Sequence, residues 1–266
     1  LLSKIQVAGG TEREKRLFYS TFFHAFKWPA LRSDVNHEYT DVRGEVVNNG
    51  FHYYTDPSFW DDYRNKLVLI GMISPDVTTD IIRSIIDKGE KRDGYMPTFF
   101  HGDHASTFIS GSWLRGLHDF DLERAYKLFL KNATVPGKGG RRYLDEYMER
   151  GWIAEKDTVN VPTWDEYKGA VTKTQEYAYD DYAVALVAKE LGDEANYKLM
   201  MERSNNYKTL FDPSTGFWRG KIDDGSWIQD FDPYYPYYQY MYREANAWNA
   251  LFFAPHDPEG MIKLYP

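Results

Sequence analysis

The stretch that most narrows the possible folds is Lys173 to Leu191, KTQEYAYDDYAVALVAKEL, closed by Gly192. Apolar and aromatic residues (Tyr177, Ala178, Tyr179, Tyr182, Ala183, Leu186, Val187) cover most of its circumference. A helix that is apolar nearly all round is buried among other helices, so the stretch predicts a layered, all-α chain. Yet Glu176 and Asp180 sit four residues apart on one face of it, with Asp181 alongside. Carboxylates in an apolar setting are costly unless paired or protonated. Two readings stand: a salt-bridged network to Arg or Lys of neighbouring helices, or a carboxylate pair whose pKa values are split for acid and base work.

The rest of the chain also reads as helices joined by elaborate loops. Thr11-Glu12-Arg13-Glu14 is a capping box that opens a helix with Leu17, Phe18, Phe22 and Phe26 at helical spacing, stopped by Pro29. Asp56-Pro57 predicts a cap and first-turn proline before a helix over Trp60 to Met72. Ser74-Pro75 repeats the device before Val77 to Ile86. Further helices are predicted over Ala105 to Leu117, Leu122 to Asn132 (capped by Asp121), Tyr143 to Glu149, Glu194 to Leu210 and Asn246 to Phe253. Polar, turn-rich segments fill Arg32 to Thr55, Gly151 to Thr163 and Asp212 to Tyr238. Hairpins are predicted at Val42–Tyr54, turning at Asn48-Asn49-Gly50, and at Phe217–Trp227, turning at Asp223-Asp224-Gly225. Buried helices alternating with more polar ones suggest two concentric layers, an α/α toroid. No composition shift marks a domain boundary.

Composition excludes several functions. The net charge is −8, which argues against a phosphate-backbone partner such as nucleic acid. The absence of cysteine excludes disulfides, zinc–thiolate sites and thiol nucleophiles. No apolar run approaches the roughly 20 residues a membrane helix needs. The start, LLSKIQVAGG, lacks the basic and apolar regions of a signal peptide and reads like the middle of a longer chain. Aromatic residues make up 17%, and an excess of Tyr and Trp suits flat, amphipathic ligands such as sugars.

Three more clusters bear on chemistry. In Trp60-Asp61-Asp62-Tyr63-Arg64, a ring, an acid and a guanidinium could grip a sugar; equally, the acids could serve the helix dipole while Arg64 pairs locally. In Gly102-Asp103-His104-Ala105, His104 could be presented to a pocket or be structural. Reading His101, Asp103 and His104 as metal ligands is weak, because adjacent positions rarely converge on one ion. In YREANAWNALFFAPHD, residues 242 to 257, Glu244 sits among Tyr242, Trp248, Phe252 and Phe253. It is read either as a helix-capping acid or as a carboxyl group whose apolar setting keeps it protonated. There is no G-x-S-x-G, no Gly-rich phosphate loop and no H-E-x-x-H.

Taken in order, these clusters resemble glycoside hydrolase family 92, the calcium-dependent α-mannosidases, over nearly the whole chain. Val7 to Glu12 looks like the start of that family's helical domain, and Ser33-Asp34-Val35 and Tyr54-Thr55-Asp56 follow in order. Residues 60–64 look like its W-D-T-[FY]-R, residues 102–105 like its G-x-H-A, and Gly116 to Asp121 like its G-[IL]-x-x-F-D. Glu176 to Asp181 matches its E-Y-A-Y-D-D letter for letter. Phe211 to Phe217 looks like its L-F-D-P-x-T-G-F, residues 244–248 like its E-G-N-A-W, and residues 254–257 like its V-P-H-D. The chain departs from the family at Asp62, Arg243 and Ala245, where threonine, threonine and glycine are usual.

The resemblance implies an (α/α)6 barrel and an exo-acting α-mannosidase that releases terminal mannose from mannosides or N-glycans with inversion, assisted by calcium. It places the general acid at Glu244, and sugar contacts at Trp60, Asp61, Arg64 and His104. Glu176, Asp180, Asp181, Asn246 and Trp248 would shape or brace the pocket. An inverting enzyme needs a second carboxylate roughly 6.5–9.5 Å from the acid. In the family that base lies in a glycine-rich acidic segment well downstream of V-P-H-D, and an E-P-x-H-H segment supplies sugar and metal contacts. Neither segment is found before Pro266, and neither is the family's N-terminal β-sandwich. The expectation is therefore the N-terminal and central part of one catalytic barrel, with base and most calcium ligands outside it, inactive alone. Secretion, a periplasmic location or cell-surface display is implied by the resemblance. Two other readings are a helical toroid that binds carbohydrate without cleaving it, and another (α/α)6 glycosidase acting on glucosides.

Overall fold

The computed structural model describes residues 2–156, 167–235 and 240–265. Residues 157–163 of the polar segment expected from Gly151, and residues 236–238 of that expected from Asp212, lie outside them. In chain order, α1 (Glu12–Ala25) precedes a hairpin of β1 (Glu38–Thr40) and β2 (Val46–Asn48). Then come α2 (Phe59–Asp62), α3 (Lys66–Ile73), α4 (Pro75–Lys91), α5 (His104–Leu114), α6 (Leu122–Thr134) and α7 (Leu144–Arg150). The long α8 (Ala170–Glu190) leads to α9 (Glu194–Arg203), a hairpin of β3 (Phe211–Asp212) and β4 (Phe217–Trp218), α10 (Ala247–Ala250) and α11 (Pro258–Ile262).

The fold is all-α, as the sequence predicts, and α8 is its axis. It packs against α5, α6 and α9. Its C-terminal half, with Val184, Ala185, Val187 and Ala188, joins an apolar cluster containing Ile81, Ile82, Ile85, Phe108 and Phe129. Its N-terminal half, with Val171 and Ala178, joins a second cluster containing Tyr207, Trp218, Met241 and Tyr242. Burying each large side chain of this kind contributes about 1.5–3 kcal/mol, so the helix is fixed from both ends. The layering is legible in burial: nearly all of α5 is buried, whereas α9 buries only Met200 and Arg203.

Caps behave locally as their chemistry dictates. Thr11 accepts from Glu14 N–H, and Glu14 Oε2 accepts from Thr11 N–H at 2.7 Å, forming the predicted capping box. Asp121 accepts from Arg124 N–H at 3.0 Å and starts α6. Several expectations need correction. The helix over Trp60 to Met72 is two helices, because the chain turns at Tyr63–Asn65 and restarts with Asn65 as cap. Asp56 caps nothing there; its carboxylate is 2.7 Å from Lys88 Nζ, a cation that is otherwise buried. The first hairpin turns at Asp41–Glu45, where Gly44 takes φ +85°, and not at Asn48-Asn49-Gly50. Asn246 to Phe253 yields one helical turn, and Asn206–Leu210 continues beyond α9 as a 3-10 helix. The Phe217–Trp227 hairpin is realised in two pieces, the β3–β4 pair and a Lys221–Trp227 bridge around Asp223–Gly225.

Candidate active site

The break between α2 and α3 puts Trp60 and Arg64 at one edge of α8. The Trp60 indole N–H donates to Glu176 Oε1 at 2.8 Å. Arg64 Nη2 donates to the Trp60 carbonyl at 3.3 Å, and its guanidinium lies over the Tyr63 ring, 4.9 Å from the centroid. The Trp60 ring is parallel to Phe100 within 16° and meets His101 edge-on at 5.3 Å.

The opposite edge is built by the segment before α10. Val171 N–H donates to the Met241 carbonyl at 2.9 Å, and Arg243 N–H to Thr172 Oγ1 at 3.0 Å, which lays this segment along the start of α8. Met241 and Glu244 both adopt left-handed backbone, φ +51° and +52°, costing about 1 kcal/mol or more each. Such strain is held only where surrounding structure over-determines it. Gln175 Nε2 donates to the carbonyls of Ala250 and Phe253, both at 3.3 Å, and pins the far end.

Between these edges is a cavity of about 260 Å³, with Trp60, Arg64, Gln175, Glu176, Arg243 and Glu244 on its wall. A larger cavity of about 800 Å³ lies by Asn49, Arg83 and Asp119. Charges on its wall are paired, Arg83 with Asp119 at 3.2 Å and Arg124 with Glu90 at 2.6 Å.

Behind Glu176 the polar groups continue into the core. His104, fully buried at the start of α5, stacks on Tyr63 with centroids 4.4 Å apart. Its Nδ1 is 2.9 Å from Asp180 Oδ1, and its Nε2 is 3.2 Å from Glu176 Oε2. The second contact is close enough for an ion pair but out of line for a good hydrogen bond. Burial opposes a charge on this ring, but Asp180 and Glu176 outweigh it and push its pKa up to about 10. Asp180 Oδ2 accepts from Asp103 N–H at 2.6 Å. Arg141, also buried, bridges Asp103 (3.0 Å) and Asp181 (2.5 Å), and Asp181 takes a further contact from Arg203 at 2.9 Å. His101 is driven the other way: burial, then Lys173, Arg243 and His104, hold its pKa down to about 2. It is neutral, and its Nδ1 accepts from Arg243 Nε at 3.2 Å.

Of the residues singled out in the sequence, Trp60, Arg64, Glu176 and Glu244 meet at one cavity. Glu244 is exposed, not buried among aromatics as its sequence neighbours suggest: Tyr242 points inward while Phe252 and Trp248 face solvent. Nor is it the cap, because Asn246 accepts from Asn249 N–H and opens α10. Asp61 is exposed, and Trp248 packs edge-on to Phe217 at 4.9 Å, away from the cavity wall. His104, Asp180 and Asp181 lie behind the wall. His256, in the APHD motif, contacts the Ser204 carbonyl through Nε2 at 2.8 Å, and Asp257 caps α11. Arg243 and Gln175 are the residues that sequence reasoning misses, and Arg141, whose basic run Lys138–Arg142 reads as solvated loop surface, is buried instead. Arg243 alone had a signal, as a departure from the family pattern beside Glu244.

Comparison with known proteins adds to this geometry. The model of the glycosyl hydrolase family 92 catalytic domain matches residues 1–266. The structure of a family GH92 α-mannosidase from Bacteroides thetaiotaomicron is similar with a TM-score of 0.86 and 28% identity, covering 99% of this chain and 35% of that one. The same α-mannosidase in complex with mannoimidazole gives 0.84. A family GH92 inverting mannosidase from that bacterium gives 0.83 at 25% identity, covering 99% and 36%. An uncharacterized secreted glycosidase of Arthroderma benhamiae is 27% identical over 193 residues, 61% of this chain and 24% of its own length. This chain thus spans about a third of the solved chains and about a quarter of the curated relative.

Proposed function

Because this chain belongs to glycosyl hydrolase family 92, we propose that its Trp60–Glu244 cavity is part of the active site of an exo-acting, inverting α-mannosidase. The observation that carries the reading is the convergence of Trp60, Arg64, Glu176 and Glu244 on one small cavity. An indole face suits the apolar side of a sugar ring, and Arg64 can donate to hydroxyls. Glu244 is the proton donor to the leaving oxygen in this reading. Glu176 is poorly placed for that role, since Oε1 already accepts from Trp60 and Oε2 faces His104. Glu244 is open to solvent, so the desolvation that suits a general acid would arrive with the sugar and with whatever covers the cavity in the whole protein. The solved relatives described as α-mannosidases, one as inverting and one bound to mannoimidazole, support the mannose reading.

The described residues do not by themselves fit a calcium ion. Among them no three His, Asp or Glu side chains are grouped to hold a metal. Calcium is therefore proposed for the whole protein with ligands outside the described residues, as is the inverting base. Secretion is proposed on the description of the fungal relative; no described helix is long and apolar enough to cross a membrane.

The test is a panel of α-mannosides, α-glucosides and α-galactosides given to the whole protein with calcium, following both binding and release of free sugar. Release of mannose from the mannosides alone is the expected result. Binding without release would favour a carbohydrate-binding toroid, and release of glucose would overturn the mannose assignment.

A further inference from the structure

We propose that His104 is a positioning residue that ties Glu176 to Asp180 and thereby holds the Trp60 indole at the rim of the cavity, without touching the sugar. The inference rests on the reading of that cavity as the sugar site, and it gives His104 a role other than the direct sugar contact that the family resemblance implies.

Both ring nitrogens of His104 face carboxylates, Asp180 at 2.9 Å and Glu176 at 3.2 Å. Only an imidazolium suits both neighbours: it donates to Asp180 through Nδ1–H and meets Glu176 through Nε2–H as an ion pair rather than a well-aligned hydrogen bond, whereas a neutral ring turns a lone pair toward one carboxylate. Glu176 and Asp180, one helical turn apart on α8, therefore clamp the ring along the helix axis. Tyr63 closes one face of it, 4.4 Å between centroids. Gly102 leaves room beside it, since a Cβ there would lie 2.2 Å from His104 Nε2. The clamp is anchored deeper: Asp180 also accepts from Asp103 N–H, and Asp103 is held by Arg141 and by Asn132 at 2.9 Å. Toward the cavity it ends on Glu176 Oε1, the acceptor for the Trp60 N–H. Trp60 belongs to the single turn of α2, which has little backbone hydrogen bonding of its own, so a side-chain anchor decides where its ring sits.

The experiment uses the whole protein labelled with 5-fluorotryptophan. The Trp60 fluorine signal is identified as the one missing from Trp60→Phe. In His104→Gln and in Glu176→Gln, each close in size to the residue replaced, that signal is expected to move while the signals of Trp152 and Trp218 in the second core cluster stay in place. Kinetics provide a second readout. His104→Gln is expected to raise KM for a natural α-mannoside about tenfold, and by less than about twofold in a Trp60→Phe background, because coupled residues are non-additive. A Trp60 signal that stays in place in a folded variant of either kind overturns the inference, as do effects that simply multiply, the pattern expected of general destabilisation. If the wild-type protein turns over no mannoside, the proposed function fails, while the fluorine shift still decides the positioning role.

Discussion

Replacing Asp181 by Asn should be among the most damaging isosteric changes in this chain. Asp181 is fully buried on α8, and its two oxygens accept from Arg141 Nη1 (2.5 Å), Arg203 Nε (2.9 Å), Arg203 Nη2 (3.2 Å) and Tyr147 Oη (3.1 Å). Asn keeps the volume, so no cavity term enters. It removes the charge and turns N–H groups toward guanidinium N–H groups. Removing one partner of a buried ion pair costs about 3–5 kcal/mol, because the other charge stays buried. Arg141 keeps Asp103, and Arg203 keeps the Ala133 carbonyl at 2.7 Å, which places the expected loss near the lower end, about 3 kcal/mol. Urea unfolding of the whole protein, followed through the transition that contains this unit, should show the midpoint falling by about 1 M with little change in slope. The comparison is Asp223→Asn, which breaks the Arg150–Asp223 pair. At 2.9 Å that pair is as short as the Arg203–Asp181 contact, but Asp223 is 81% exposed, and losing it should have little effect. Equal midpoints for the two variants would refute the claim that burial, not contact distance, sets the value of these pairs.

Other outcomes follow from the same geometry. His104 has a folded pKa raised to about 10 from 6.5, so its contribution to stability is complete below about pH 6.5 and is lost as pH rises through about 10. The stability difference between wild type and His104→Gln should therefore shrink over that range; a difference that grows with pH would show the charge assignment to be wrong. Gly102→Ala drives a methyl group into the His104 ring and should cost about 1–3 kcal/mol. Gly71→Ala in α3, where an added Cβ would meet Leu117 and Thr78 no nearer than 3.7 Å, should stabilise by up to about 1 kcal/mol, and thermal melts giving both changes the same sign would contradict this packing.

What could be read in advance was decided by local chemistry and periodicity. The all-round apolar pattern of residues 173–191 predicted a buried axis because no other environment suits such a helix, and α8 is that axis. The carboxylates on it are ambiguous in sequence because their partners come from other elements, Trp60 and His104 for Glu176, His104 for Asp180, Arg141 and Arg203 for Asp181; the fold resolves Asp181 as a salt-bridged brace. Trp60 and Arg64 are four residues apart, so their proximity is visible in the sequence, but the break at Tyr63–Asn65 is not, because three residues of turn interrupt an otherwise continuous pattern. Glu244 reads as buried from its neighbours in sequence, yet it is exposed. In a segment with no continuous helix, interrupted by left-handed residues at Met241 and Glu244, linear neighbourhood says little about burial. Arg243 fell outside the pattern-based reading because its role depends on reaching His101 across the fold, 3.2 Å away.

The central claim is that Glu244 donates the proton to the leaving oxygen. The direct measurement compares wild type with Glu244→Gln in the whole protein, using an α-mannoside whose leaving group departs without protonation and a natural α-mannoside whose leaving group requires it. The account predicts that turnover of the natural substrate falls by about 10²–10⁴-fold while that of the activated one is largely retained, the range general acid catalysis supplies. Cleavage of the natural mannoside at the wild-type rate would contradict it.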